Sequence, residues 1–376
     1  MIKRYLTEQI RNDLNKKMVF IGGPRQVGKT ILAQFLLQNR QGYLNWDVSE
    51  HREKILKQAL PHSTLWVFDE LHKYKLWRNF LKGLYDVRPL EQKILVTGSA
   101  RLDYYRFSGD SLQGRYHYLR MHSLSLAELK SKEQSDFLDL LNLGGFPEPF
   151  LSGSEIEAKR WSSEYRTRLL REDSAQLEHV ERVECAQDLG TIELLAMRLP
   201  ELVGSPLSIN SICEDLQVSH KSVSTWLEIL ERMYAIFPLS PLGSSKIWAV
   251  KKEQKHYHFD WTLVTTPSLR FENLVACALL KQVHFSQDTK GENIELCYFR
   301  DVDGREVDFV VAKDKKPILF VECKWEDDAI SPALKYMKMR FPDCEAWQIS
   351  AIGKKDYRGE LAIRVCPARL FLKTLV

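Results

Sequence analysis

Gly23-Pro24-Arg25-Gln26-Val27-Gly28-Lys29-Thr30 is the stretch that decides how this chain folds. It is a complete GxxxxGK[ST] pattern, preceded by the apolar run MVFIG (18–22) and followed by the helical run KTILAQFLLQN (29–39). A glycine-rich turn between a buried strand and a helix offers backbone N–H groups to an anion, and the helix N-terminus adds its positive end. Residues 23 to 30 are therefore expected to cradle nucleotide phosphates. Lys29 would reach the β and γ phosphates, and the Thr30 hydroxyl would take Mg²⁺.

Working outward, YLNWD (43–47), TLWVFDE (64–70) and KILVTGS (93–99) read as further strands with helical segments between them. Nearly continuous apolar runs separated by helices predict a parallel sheet covered on both faces. The second of these runs ends in Asp69-Glu70, forty residues after Lys29. There Asp69 would hold Mg²⁺ through water and Glu70 would orient or deprotonate the attacking water. Thr97 and Ser99 fall at a strand end beside the same crevice, where a hydroxyl could sense the γ phosphate. Of Arg101, Arg115 and Arg120, Arg115 is the candidate arginine finger, acting on a neighbouring subunit or within the chain.

Beyond LGGFPEPFLSGSE (143–155) the pattern turns to charged amphipathic helix as far as about Leu202. LSINSICEDLQVSHKSVSTWLEILERMY (207–234) then reads as helix, short turn, helix, with Ser208 or Asn210 capping the first and Ser219 the second. This is helix-turn-helix spacing, and it would place His220, Lys221, Ser222 and Ser224 at the leading end of the second helix. Glu228 and Glu231 on that helix would repel phosphates, so DNA is a candidate partner and not a required one. From about residue 246 short strands return (KIWAV, HYHFD, ELCYFRD, EVDFVVA, PILFVECK, EAWQIS) around the helix FENLVACALLKQV.

Within that last part, Glu322 and Lys324 lie two apart on one strand and thus share a face, and Asp308 lies on another strand. Two carboxylates and an ammonium suit a Mg²⁺-dependent phosphodiesterase, with Asp308, Glu322 and the Cys323 carbonyl on the metal and Lys324 positioning water. Glu272 is a further candidate metal ligand. The same charges could instead form a partly buried ion pair with no catalysis. Alternation sends the Cys323 side chain to the opposite, core face, and His256 and His258 lack a third ligand for zinc.

The 376 residues carry 54 Lys plus Arg against 50 Asp plus Glu, a formal charge of +4, which excludes a polybasic protein. The seven cysteines form no CxxC and are odd in number, as in a chain of reduced thiols. The first residues lack an apolar leader and no run approaches 18 uncharged apolar residues, so neither secretion nor membrane spanning is expected. The expected location is cytoplasmic.

GGPRQVGKT, FDELHKYKLWRNFLKGLYD, VTGSARLDYYRFSGDSLQGRYHYLR, RFENLVACALLK, and FRDVDGREVDFVV with FVECK together give the chain a wider likeness. It resembles the prokaryotic AAA-type P-loop ATPases with a C-terminal domain of unknown function related to restriction endonucleases. The acid and lysine set is similar to the PD-(D/E)XK nuclease motif. This resemblance implies ATP and Mg²⁺ as cofactors, with Lys29 and Thr30 in the phosphate loop, Asp69 and Glu70 in the acidic motif and Arg115 as finger. The expected fold class is α/β: an AAA-like parallel-sheet domain (1–135), a helical region with a winged-helix-like helix-turn-helix (136–245), and a nuclease-like α/β domain (246–376). The expected function is ATP hydrolysis coupled to motion of the C-terminal domain. The alternatives are a nucleotide-gated DNA endonuclease and an ATP-dependent interaction or DNA-binding switch, with a homo-oligomer or a protein as candidate partner.

Overall fold

The computed structural model describes residues 2–98, 112–129, 133–170, 189–243 and 254–376. Ser99, Arg101, Cys185, Trp248 and the expected strand KIWAV lie outside them. The chain divides into two units, one of residues 1–124 with 288–290, the other of residues 125–287 with 291–376.

The first unit begins with α1 (Thr7–Asp13), then β1 (Met18–Gly22), α2 (Lys29–Leu36), β2 (Tyr43–Asn45), α3 (Ser49–Leu56) and β3 (Leu65–Asp69). α4 (Trp77–Val87), β4 (Lys93–Thr97) and β5 (Tyr116–Arg120) complete it. The strands stand in the order β2-β3-β4-β1-β5, and every pairing is parallel. All five β1 residues are buried. Met18 and Phe20 meet Phe68, Trp77, Leu81, Ile94 and Val96 on one face, while Val19, Ile21, Val67 and Leu95 are buried by alternation on the other. The expected doubly covered parallel sheet is present, and parallel registry brings Gly22, Asn45, Asp69 and Thr97 to one edge.

In the second unit α5 (Gln134–Leu143), α6 (Pro147–Ser152), α7 (Glu155–Arg168) and α8 (Leu189–Arg198) precede the helix pair α9 (Ile209–Leu216) and α10 (His220–Arg232). Ser208 accepts the Ser211 N–H at 3.2 Å and Ser219 accepts the Ser222 N–H at 3.1 Å, so both helices start at serine caps. Val223, Trp226, Ile229 and Leu230 of α10 are buried at helical spacing. Trp161 and Trp226 are core side chains.

The chain continues with β6 (Ile236–Pro241), β7 (Lys255–His258), α11 (Pro267–Lys290), β8 (Ile294–Arg300), β9 (Glu306–Lys313) and β10 (Lys316–Lys324). α12 (Pro332–Arg340), β11 (Glu345–Ser350), β12 (Tyr357–Arg358), β13 (Arg364–Pro367) and α13 (Ala368–Leu372) follow. The sheet runs β12-β13-β11-β10-β9-β8-β6-β7. β9 pairs antiparallel with both β8 and β10, and β10 and β11 are parallel across the α12 crossover.

By compactness the first unit ends at Leu124, and the second runs from Ser125 through residue 246. β6, from the supposed helical middle, pairs in parallel with β8 through Ser240↔Cys297 and Pro241↔Tyr298 and so joins the C-terminal sheet. The described cysteines, Cys213, Cys277, Cys297, Cys323, Cys344 and Cys366, are free. Among the described residues no helix is long and apolar enough to cross a membrane.

Candidate functional site

The loop after β1 reaches its shape through Gly23 (φ +126°), Gln26 (φ +60°) and Gly28 (φ +96°). A Cβ on Gly23 would lie 2.2 Å from the Met121 carbonyl oxygen, so both conformation and space demand glycine there. Gly28 caps α2, and Lys29 starts it. The Lys29 ammonium is buried and donates to the carbonyls of Gly23 at 2.8 Å and Pro24 at 2.5 Å, which holds it across the mouth of its own loop.

Asp69 ends β3 beside the loop and collects three hydroxyls. Thr30 Oγ1 donates to Oδ2 at 2.9 Å, Tyr43 Oη donates to Oδ2 at 2.6 Å, and Thr97 Oγ1 donates to Oδ1 at 2.5 Å. Asn45 Nδ2 donates to Tyr43 Oη at 3.2 Å. Thr97, fully buried, is thus tied to the acidic motif, while Ser99 lies outside the described residues. A hydroxyl and a carboxylate side by side are the hard oxygen donors that Mg²⁺ prefers, with the remaining positions left to water and phosphate. Thr30 and Asp69 fit that ion.

Glu70 follows in the left-handed region at φ +55°, a conformation that costs a non-glycine residue about 1 kcal/mol or more. Its N–H donates to the Thr97 carbonyl at 3.0 Å, which ties the turn to β4. Its Oε2 lies 3.4 Å from Lys73 Nζ and 3.6 Å from His72 Nε2. Burial pushes the Glu70 carboxyl above its ordinary range, against the opposing pull of Lys73, and the Asp69 charge adds to the rise. A carboxylate more basic than usual is suited to accept a proton from water.

Arg115 lies elsewhere. It precedes β5, whose registry sets Tyr116 opposite Met18 and Arg120 opposite Gly22, so Arg115 is at the end of the sheet away from the phosphate loop. Its Nε donates to Asp86 Oδ1 at 2.8 Å. A finger acting within the same chain is excluded by this position. Arg120, at the loop end of β5, is the arginine nearer the site.

The second constellation is assembled in part. Asp308 Oδ2 accepts the Cys323 N–H at 2.7 Å, which fixes it against β10. Lys324 Nζ lies 3.1 Å from Glu322 Oε1, while Glu322 Oε2 is buried without a hydrogen-bond partner. Burial, then the Asp308 charge, raises the Glu322 carboxyl; burial likewise raises Glu272, with Asp308 again second. Glu272, however, accepts from Tyr257 Oη at 2.7 Å and lies 3.9 Å from Lys255 Nζ. Lys255, only 1% exposed, also donates to Glu306. Burial opposes its charge, but Glu272, Asp308 and Glu306 together raise its pKa.

Glu272 is thus engaged by a lysine and a tyrosine instead of standing as a free ligand. Among the described residues no three of His, Cys, Asp and Glu converge as a metal cage. Cys323 is partly exposed as a residue, but burial first, then the Asp308 and Glu272 charges, pushes its thiol well above the ordinary range, in keeping with a side chain turned inward. His256 and His258 are buried, and burial pushes them down to about 4 and about 3, so they are neutral side chains.

Sequence reasoning missed Tyr43, Lys255 and Tyr257. The period-2 alternation of KHYH, which sets Lys255 and Tyr257 on one face, was a usable signal for the last two.

Residues 15–130 match the model of an AAA domain family, residues 134–271 match a domain of unknown function, and residues 270–371 match a second one. Uncharacterised proteins of Mycobacterium bovis and Mycobacterium tuberculosis are each 28% identical over 182 residues, 46% of this chain and 40% of theirs. The chain thus covers less than half the length of those relatives. Among solved structures, the Thermotoga maritima RuvB Holliday junction branch migration motor aligns over 62% of this chain and 88% of its own at 15% identity, with a TM-score of 0.31. AMPPCP-bound DnaA from Aquifex aeolicus aligns over 60% and 86% at 12% identity, with a TM-score of 0.28. At these scores the structural likenesses support no functional reading. The family match and the loop, acid and threonine geometry agree on one point: residues 15–130 are an AAA-type P-loop domain.

Proposed function

We propose that the chain is a Mg²⁺-dependent ATPase whose hydrolysis cycle is coupled to motion of a C-terminal region of nuclease-like fold. The observation that carries the reading is the convergence of Thr30, Tyr43 and Thr97 on Asp69, with the basic carboxylate of Glu70 next in the chain. When bound, Mg²⁺ would neutralise charge building on the phosphates. Thr30 and Asp69 would hold the ion, Lys29 would leave its loop carbonyls for the phosphates, and Glu70 would orient and deprotonate water. Arg115 serves this cycle only from a neighbouring copy, so the proposal includes a homo-oligomer for that role. The proposed location is cytoplasmic.

Phosphate release from ATP by the full chain, with and without DNA, tests this, with Lys29→Ala as the control. Turnover that requires Mg²⁺ and Lys29 supports the proposal. A folded protein that neither binds nor hydrolyses ATP defeats it.

A second reading is a nucleotide-gated metal-dependent endonuclease. The order α11, three antiparallel strands, a crossover helix and a parallel strand supports the restriction-endonuclease-like assignment. The unpartnered Glu322 Oε2, beside Lys324 and electrostatically coupled to Asp308, favours a ligand there. Asp308 and Glu322 would hold the metal and Lys324 would position water, with Glu272 in reserve while Lys255 holds it. The helix-turn-helix followed by the β6–β7 hairpin has the order of a winged helix, which would bring DNA to the same unit. Plasmid nicking in Mg²⁺ or Mn²⁺ that disappears in Lys324→Ala and Asp308→Asn supports this reading. Absence of nicking, or nicking that survives both changes, removes it and leaves an ATP-dependent switch.

A further inference from the structure

The phosphate loop is held from outside by the N-terminal segment. Arg4 is 6% exposed, yet its Nη1 donates to the Val27 carbonyl at 2.5 Å and its Nη2 donates to the His122 carbonyl at 2.5 Å. One guanidinium thus joins the loop to the chain just beyond β5. The segment carrying it is itself fixed: the Arg4 carbonyl accepts the Thr7 N–H at 3.1 Å and the Thr7 hydroxyl at 2.7 Å, at the start of α1. Next to it, Tyr5 Oη donates to the Arg120 carbonyl at 2.6 Å and accepts the His122 N–H at 3.1 Å.

Val27 and Gly28 share one peptide plane. In a trans peptide the C=O and the following N–H point in opposite directions. Fixing the Val27 oxygen on Arg4 therefore turns the Gly28 N–H away from Arg4, at the head of α2, where phosphate-loop N–H groups meet a phosphate. A buried cation two carbonyls wide is costly to desolvate unless its donors are used, and here the planar fork reaches both oxygens. Sequence spacing gave no hint of it, because Arg4 and Val27 are 23 positions apart.

We propose that Arg4 is a positioning residue of the nucleotide site, holding the Val27–Gly28 peptide so that the Gly28 N–H faces the bound phosphates. It touches neither nucleotide nor metal. The proposal rests on the ATPase reading, so the test separates the two.

Arg4→Ala and Arg4→Lys of the full chain are compared with wild type in steady-state ATP hydrolysis, in displacement of a fluorescent ADP analogue by ADP and by adenosine, and in thermal unfolding. In Arg4→Ala the KM for ATP and the dissociation constant for ADP rise about tenfold while kcat changes by less than about twofold. Adenosine binding is unchanged, because the loop meets only phosphates. Arg4→Lys keeps the charge but cannot span both carbonyls, and it gives a smaller rise of about threefold. Equal weakening of ADP and adenosine, or an unchanged KM with activity falling in step with the folded fraction, reduces Arg4 to a structural tie and overturns the proposal. If Arg4→Ala does not fold, Arg4→Lys decides by the same ADP-to-adenosine comparison. Failure of the ATPase reading shows separately, as wild-type protein that does not take up the ADP analogue.

Discussion

Tyr43 Oη donates to Asp69 Oδ2 at 2.6 Å, so a side chain on the edge strand β2 sets the orientation of the carboxylate that faces Thr30. Burial first, then the neighbouring Asp69, raises the phenol above its ordinary range and keeps it a donor at any working pH. Removing the hydroxyl in Tyr43→Phe frees the carboxylate to rotate. The expected cost is about 1 kcal/mol, or roughly fivefold in the Mg²⁺ concentration for half-maximal ATP turnover. A Mg²⁺ titration of the two proteins measures it, and an unchanged midpoint would separate Tyr43 from the metal.

Glu70→Gln keeps the shape of the turn and removes the base. ATP binding is expected to persist while turnover falls by at least about 100-fold. The sign of the pH effect follows from the raised carboxyl: as pH falls through that raised value the base becomes protonated, so the acidic limb of kcat lies above the usual glutamate range near 4.3. A limb at an ordinary glutamate value would point to another base.

Lys255→Met would leave Glu272, Glu306 and Asp308 facing one another with their buried cation gone. Loss of one partner from such a group costs about 3–5 kcal/mol. Adding Glu272→Gln to Lys255→Met is expected to recover part of that loss, since it removes a carboxyl that is costly to ionise once the buried ammonium is gone. Chemical denaturation of the wild type, both single variants and the double variant closes the cycle, and strictly additive losses would contradict the network.

The His256 and His258 pKa values, pushed down to about 4 and about 3 by burial, carry a definite sign. Folded-state values below the unfolded value mean stability that is complete above about 6.5 and is lost as pH falls toward 4 and 3. Glu272 and Glu322, raised by burial, act in the opposite sense: their stability is present at low pH and lost as pH rises through the raised values. The histidine part is therefore read as a difference. Replacing both with glutamine should make the fall in melting temperature from pH 7 to pH 5 shallower than in wild type, and equal slopes would refute it.

The first unit was readable because its signals are local. A glycine loop, a following helix and apolar runs ending in acids each fit within about ten residues, and a parallel sheet then brings their ends together. β5 escaped notice because YHYLR mixes polar and apolar residues, and β6 because IFPLSP carries two prolines that argue against a strand with a neighbour on each side. Both are strands through their pairing with β1 and with β7 and β8. The acid and lysine set was legible as residue types but not as an arrangement. Lys255 reads locally as a surface charge, and its burial depends on Glu272 and Glu306 arriving from distant elements. Arg4 was invisible for the same reason.

The parallel join of β6 to β8 bears on how the second unit can be dissected. A fragment begun at 246 would strip β6 from β8 and bare a row of unpaired backbone groups, the template on which chains aggregate. Such a fragment should precipitate instead of folding into a free-standing nuclease-like body. The helix-turn-helix and the acidic cluster are coupled through that ladder, and they should unfold in a single cooperative step.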